Sequence, residues 1–219
     1  MPTSRTRGQR AGLTRQDVLG AALALVDREG LEVLSMRRLG AELGVEAMTL
    51  YHYVSNKEAL LDGLVEQLFA EVIAPQDSSG SWQADLRNYA HAMREALLAH
   101  PNAIPLVVSR PAVTSRNLEI VEGVLATLHA AGFTLEVGLD VLFSLTGFVL
   151  GHVVTATSPG GELVDASEQV RNLSDVDPGE FPLLAAAAAG ASSQAGAKSR
   201  FDFALDAMLA GFEQARITS

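Results

Sequence analysis

Apolar residues return every three or four positions along almost the whole of this sequence, and period-two alternation is scarce. That spacing lines one face of a helix and cannot line one face of a strand. The chain is therefore expected to be all-α. Val18, Ala22, Leu25 and Val26 form one stripe, opened by Thr14 as a cap with Asp17 in the first turn, and closed by Gly30. Ser35 can cap a second, short helix over 36–43, which Gly44 breaks. A third runs over 46–53. Ser55 and Glu58 have the spacing of a capping box for a fourth, which is apolar at 60, 64, 68 and 72 and again at 61, 65 and 69. Later helices are expected over 82–99, 103–108, 115–131, 135–157, 182–189 and 199–216, with Pro and Gly in the gaps. Residues 75–81 read as a break, 160–181 as an acidic mobile loop and 190–196 as a short linker.

The chain has 219 residues, 48% of them hydrophobic, enough to bury a real core in one large domain or two smaller ones. It has no cysteine, which excludes a disulfide framework, a thiolate metal site and a cysteine nucleophile. The net charge is −10, and that total alone speaks against nucleic acid as a partner. Its distribution changes the inference. Residues 1–57 hold eight Lys/Arg against six Asp/Glu, whereas residues 58–219 hold eight against twenty. Such asymmetry indicates two regions with different partners.

Arg5, Arg7 and Arg10 near the N-terminus are not followed by an apolar stretch, so the start does not read as a secretory signal. The uncharged run 141–161 has only 14 residues in its apolar part, 141–154. A bilayer needs about 20. A helix buried in protein, no membrane partner and a cytoplasmic location are expected.

Residues 35–57 read SMRRLGAELGVEAMTLYHYVSNK. Two short helices joined by a turn at Gly44, Val45 and Glu46 have helix-turn-helix spacing, with Leu39, Leu43, Val45 and Leu50 holding the pair together. The second helix then presents Ala47, Met48, Thr49, Tyr51 and His52. Small and apolar groups can touch thymine methyls, and hydroxyl and imidazole groups can reach base edges or phosphates in a major groove. Arg37 and Lys57 flank this face as phosphate or guanine contacts. Two of the chain's three tyrosines fall here. Tyr51 shares the face of Ala47 and Met48, Tyr53 reads as packing into a small core, and His52 reads equally as a phosphate contact or a solvated rim.

The segment TLYHYVSNKEALL, preceded by GLEVLSMRRLGAELGV, resembles the signature of the tetracycline-repressor (TetR) family of bacterial regulators. The resemblance is strong over residues 14–73. It implies a basic N-terminal arm over 1–13, a three-helix DNA-binding domain over 14–57 and a ligand-binding and dimerisation domain over 58–219, joined through a connecting helix at 58–73. By that resemblance Ser35, Arg37, Ala47, Met48, Thr49, Tyr51, His52 and Lys57 fall at positions that touch operator DNA. Met48 stands where Pro or Gly is common in the family.

The remainder resembles the tetracycline-repressor type of C-terminal domain through Ala99-His100-Pro101, Ala131-Gly132-Phe133-Thr134, Gly147 to Gly151, Glu180 to Leu184, Phe201 to Leu205 and Gly211-Phe212-Glu213. The implied assembly is a homodimer in which the 135–157 and 199–216 helices of both subunits form a four-helix bundle. The residues themselves agree. Gly147 and Gly151 lie four apart on one face and permit close helix approach. Phe201, Leu205, Met208, Leu209 and Phe212 form a stripe, which reads as dimer seam or as monomer core. The expected interface is Gly147, Phe148, Gly151, Leu205, Met208, Leu209 and Phe212.

A sensor domain needs an apolar cavity with a few convergent polar groups. The candidates are Tyr89, His91, Met93, Arg94, Leu97, His100, Phe143 and His152, although Met93 and Phe143 also read as core, His91 as a wet-face residue and His100 as a helix cap. His100 is similar in place to a histidine that holds a magnesium–drug complex in the tetracycline repressor. The following Pro101-Asn102-Ala103-Ile104, and Ile73, depart from that site, so neither metal nor tetracycline is carried over. The acidic stretch 162–180 lacks calcium-loop spacing. No GxSxG, HExxH, P-loop or GxGxxG is present, so no enzyme activity, cofactor or metal is expected. Double-stranded operator DNA, a small-molecule effector and a second copy of the chain are the expected partners, with a repressor as the expected regulator. A dimeric DNA binder or protein-interaction module without an effector is the alternative.

Overall fold

A computed structural model describes residues 12–69, 72, 81–110, 114–157, 176–193 and 200–218. The described residues form ten α-helices and no strand. In chain order these are α1 (Arg15–Glu29), α2 (Met36–Glu42), α3 (Ala47–Leu50), α4 (Lys57–Leu68), α5 (Trp82–Ala99), α6 (Ile104–Ser109), α7 (Ser115–Ala130), α8 (Leu135–Thr155), α9 (Pro182–Ser193) and α10 (Arg200–Thr218). The chain is thus all-α, as its periodicity requires. The basic arm over 1–13, the break at 75–81, most of the acidic loop and the end of the 190–196 linker lie largely or wholly outside the described residues.

The helices cluster into two compact units. The first contains α1 to α4 and α6. α1 is capped reciprocally: the Asp17 amide donates to Thr14 Oγ1 at 3.1 Å, and the Thr14 amide donates to Asp17 Oδ2 at 2.7 Å. That partnership holds the Asp17 carboxyl below its usual range. α1 packs on α2 and α4, and Val18, Ala22, Leu25, Val26, Leu39, Leu50, Leu60 and Leu64 are wholly buried. One cap differs from expectation. Asn56, not Ser55, opens α4, with Oδ1 accepting from the Ala59 amide at 2.8 Å. Both residue types can cap; Asn56 has the extended backbone next to the first helical residue, so its oxygen reaches the free amide.

The unit also includes α4 and α6, both of which the sequence reading assigned to the second region. Arg110, just past α6, is tied to Glu58 and Asp62 of α4. Asn102 Nδ2 donates to the Asp27 carbonyl at the end of α1.

The second unit contains α5 and α7 to α10. α8 packs against α5, α7 and α10. Leu86, Ala90, Val124, Leu128, Leu145, Val149, Val153 and Leu205 form its driest core, with the Trp82 ring edge-on to Phe133 at 5.0 Å. α8 has 21 residues, or about 31 Å at ~1.5 Å per residue. It is long and apolar enough to cross a bilayer by length and composition, because the helix extends beyond the 14-residue apolar run 141–154. One face of it is buried in this unit, with Val141, Leu142, Leu145, Val149 and Val153 each at most 3% exposed, and the helix carries Glu136 and Asp140. It is the central helix of this unit.

Candidate nucleic-acid interface and effector site

The turn between α2 and α3 depends on two glycines. Gly44 has φ +65°, a left-handed conformation that costs glycine little. Gly40 lies where α2 meets the following backbone. A Cβ there would stand 2.8 Å from the Val45 carbonyl oxygen and 3.1 Å from the Ala47 nitrogen. The Val45 amide donates to the Gly40 carbonyl at 2.9 Å, closing the same contact. Leu39 and Leu50 are wholly buried, while Leu43 and Val45 are half-buried. Gly40 is a residue the sequence reading missed. A glycine in a short helix flanked by a second turn glycine was the signal available.

α3 is a single turn extended by hydrogen bonds from His52 to Thr49 and from Tyr53 and Val54 to Leu50. Met48 is 71% exposed and Tyr51 42%; His52 is exposed, and Ala47 and Thr49 are half-buried. Tyr53 is half-buried and Val54 buried, on the side that faces the core. Ser35 is the α2 cap, its Oγ accepting from the Arg38 amide at 3.2 Å.

The cations of this unit divide into two groups. Arg28 meets Glu42 at 3.0 Å and Glu29 at 3.6 Å, and Arg38 pairs with the same two carboxylates. The Arg38 guanidinium holds the Glu29 carboxyl below its usual range. Arg15 pairs with Glu66. Arg37 and Lys57 are exposed and make no ion pair among the described residues. Their charge is therefore not neutralised by any described residue.

In the second unit, Tyr89, Met93 and Leu97 are buried on α5. Burial raises the Tyr89 phenol above its ordinary value, partly offset by the Thr146 hydroxyl. His91, Arg94 and His152 come together around Phe201 of α10. The Arg94 guanidinium carbon stands 5.2 Å from the Phe201 ring centre. His91 and His152 meet that ring edge-on at 5.2 and 5.0 Å, and Phe148 stacks on it at 5.1 Å. His91 Nε2 lies 3.0 Å from Asp202 Oδ1. Burial, aided by the Arg94 charge, lowers the His152 pKa, so its ring is neutral near pH 7. Arg94 Nε is buried with no hydrogen-bond partner. His100 terminates α5 as its C-cap and is half-buried. Among the described residues no cluster of three or more His, Asp or Glu could hold a metal ion.

Two placements correct the expectations, those of Phe143 and of Leu205 with Leu209. Phe143 is 67% exposed and stands apart from the Phe201 cluster; one helical step moved it to the open side of α8. Leu205 and Leu209 are 0% and 2% exposed, so they build the subunit's own core and not a seam with a second copy. Met208 and Phe212 are half-buried. Phe148, expected at the dimer seam, is also half-buried and stacks on Phe201 of its own subunit. Phe201 and Asp202 join the cluster, and Thr146 meets Tyr89, without having been singled out for it. Only their packing reveals them, because Arg94 and Phe201 are far apart in sequence.

Comparison with known proteins agrees with this geometry. Residues 18–64 match the bacterial regulatory proteins of the tetR family, and residues 74–216 match the tetracyclin repressor-like C-terminal domain. The chain is 34% identical over 205 residues to the tetracycline repressor protein class E of Escherichia coli, covering 92% of each. It is 37% identical over 141 residues to an HTH-type transcriptional regulator of Saccharopolyspora erythraea, covering 64% of this chain and 60% of that one. The structure of the Streptomyces coelicolor TetR family protein ActR in complex with actinorhodin superposes with a TM-score of 0.78 at 27% identity, covering 94% of this chain and 99% of that one. An N-terminal helix-turn-helix, a helical C-terminal unit and these matches over most of the chain together place it in the tetracycline-repressor family of bacterial regulators.

Proposed function

We propose that the chain is a ligand-responsive transcriptional regulator, a repressor that binds a palindromic operator as a homodimer and is released by a small-molecule effector. The observation that carries the DNA half is the exposed face of α3. Met48, Tyr51 and His52 are exposed, and Arg37 and Lys57 of the same unit are exposed cations that make no ion pair among the described residues. Apolar, phenolic and imidazole groups can read base edges, and the cations can neutralise phosphate. Arg28 and Arg38, satisfied by Glu29 and Glu42, are positioning residues for α2.

The homodimer is supported by a second exposed face. Leu139, Phe143, Gly147, Gly151 and Val154 line the open side of α8, and Phe203, Ala207, Ala210 and Gly211 that of α10. A side chain added at Gly147, Gly151 or Gly211 would meet nothing within 4 Å in the single chain. Aromatic and small residues exposed side by side suit a partner helix pair. Two-fold symmetry then gives two recognition helices for half-sites ~34 Å apart. Operator binding places the protein's work in the cytoplasm.

Release follows from linkage. An effector shifts the population toward the DNA-incompetent state only by its preference for that state, and each ~1.4 kcal/mol of preference lowers operator affinity tenfold. The names of the relatives support this reading, since one is a tetracycline repressor and one neighbour was solved with actinorhodin.

The test is a fluorescence-anisotropy titration with duplex DNA from the region flanking the chain's own gene, repeated across salt. Phosphate neutralisation predicts a linear fall of log affinity with log salt, of slope about −0.9 for each phosphate contacted. Weak binding with a flat salt response overturns the proposal.

A further inference from the structure

Residues 46–52, which carry α3 and its two ends, include no Arg, Lys, Asn or Gln. Those four side chains supply the paired hydrogen bonds that single out guanine or adenine at a base edge. Glu46, Thr49, Tyr51 and His52 offer single hydrogen bonds at most. The most exposed side chain of α3 is apolar. Met48 is 71% exposed, whereas Leu50 is wholly buried and fixes the helix on its unit. Tyr51, at i+3 from Met48, is 42% exposed and continues the same face. A lone exposed methionine on an ordinary surface needs no partner. Met48 stands instead on the second helix of a helix-turn-helix, the element that enters a major groove. The groove has one apolar group to offer it, the C5-methyl of thymine.

Resting on the regulator reading above, we propose that Met48 is a specificity-determining residue that selects a thymine in each operator half-site by covering its methyl group. The turn that aims α3 is tightly packed, with space for no side chain at Gly40, so Met48 keeps one place on the head. The methionine side chain is unbranched, with three rotatable bonds and a polarisable sulfur, and it adapts to a methyl group without a preformed pocket. Arg37 and Lys57, exposed and without an ion pair among the described residues, supply cations for phosphate, so the head needs no charge on α3 to stay on the duplex. The work is thereby divided: cations hold the head, and a methyl contact specifies a base. Guanine or cytosine at the Met48 position would set its apolar surface against a wholly polar edge.

The test begins by selecting duplexes from a random pool with the full-length protein, which defines the half-site. Each thymine of the selected half-site is then replaced by deoxyuridine, which removes the methyl and keeps the base pair, and affinity is read by fluorescence anisotropy. At one thymine the loss is expected to be about fourfold with one half-site changed and about fifteenfold with both, the worth of one buried carbon in each. Met48→Ala is expected to bind the thymine and uracil operators alike at that position. Met48→Leu, apolar and of similar volume, is expected to keep the discrimination. Met48 is exposed, so neither change opens the core, and circular dichroism checks that helicity is retained. A half-site in which no thymine-to-uracil change matters, or a loss that persists undiminished in Met48→Ala, overturns this inference and leaves the regulator reading standing. Failure to select any duplex counts against the regulator reading itself, and the inference falls with it.

Discussion

Gly40→Ala is the sharpest probe of how α3 is set. Alanine is the better helix former, and in an open helix the change gains about 0.5–1 kcal/mol. At Gly40 the new methyl would stand 2.8 Å from the Val45 carbonyl oxygen and 3.1 Å from the Ala47 nitrogen. Both neighbours are main-chain atoms, so no side-chain rotation relieves the contact. The start of α3 must move by several tenths of an ångström, and the 2.9 Å hydrogen bond from Val45 to Gly40 must lengthen with it. Overpacking of this kind costs about 1–3 kcal/mol, leaving a net loss of about 1–2 kcal/mol after the helix gain. Gly20→Ala is the matched control. Gly20 lies exposed in α1 with nothing within 4 Å of an added Cβ, so the same substitution should stabilise by about 0.5–1 kcal/mol. Urea unfolding followed by circular dichroism, at one fixed protein concentration because a dimer's stability depends on it, measures both. Operator binding is read by anisotropy on the same samples. Opposite signs of stability change, with operator affinity falling only for Gly40→Ala, are the expected result. A Gly40→Ala protein as stable as the wild type would refute the close-contact account of the turn.

Arg37→Ala and Lys57→Ala, each lost from both subunits of the dimer, should each reduce the steepness of the salt dependence of DNA binding by about two units, while Arg38→Ala, which removes pairs to Glu29 and Glu42, should leave that slope unchanged. Leu205→Ala should lower subunit stability by about 2–5 kcal/mol as a buried cavity, whereas Phe203→Ser, at a position 73% exposed in the single chain, should shift sedimentation toward monomer with little loss of helicity. His152 has a lowered pKa in the folded protein, so the unfolded chain binds the proton more readily. Its contribution is complete above the ordinary imidazole value of 6.5 and is lost as pH falls toward the lowered one; His152→Gln should therefore show a shallower fall in stability between pH 7 and 5 than the wild type.

Most of the fold was legible because its signals are local. Thr14 and Ser35 cap their helices as read, since a cap is decided within three or four residues. The predicted start and end of α5 hold, and most other helices shift by one to three residues; α9 begins at Pro182 as read and runs four residues further than expected, whereas α4 ends at Leu68, five residues before the expected 73. The exposed face of α3 was also legible, because within one turn of helix the buried Leu50 fixes which side Met48, Tyr51 and His52 must take. The failures share a cause. Ser55 and Asn56 are equally able to cap, and only backbone geometry chose between them.

The apolar stripe of α10 shows the same limit on a larger scale. Period alone marks Leu205 and Leu209 as members of a buried face, yet cannot say whether their own subunit or a second one covers it. The structure answers that Leu205 and Leu209 lie in the subunit core, while Phe203 and Phe143 are left outside. Arg110 clasping Glu58 and Asp62, and Arg94 lying over Phe201, join residues widely separated along the chain. Sequence by itself determined that the chain is helical, that its cations concentrate at one end and that a helix-turn-helix lies there, because periodicity, charge and caps act over neighbouring residues. Tertiary structure alone decided which cations are already neutralised, which aromatic face remains open and which side chains gather around Phe201, because those depend on which distant surfaces exclude water from one another.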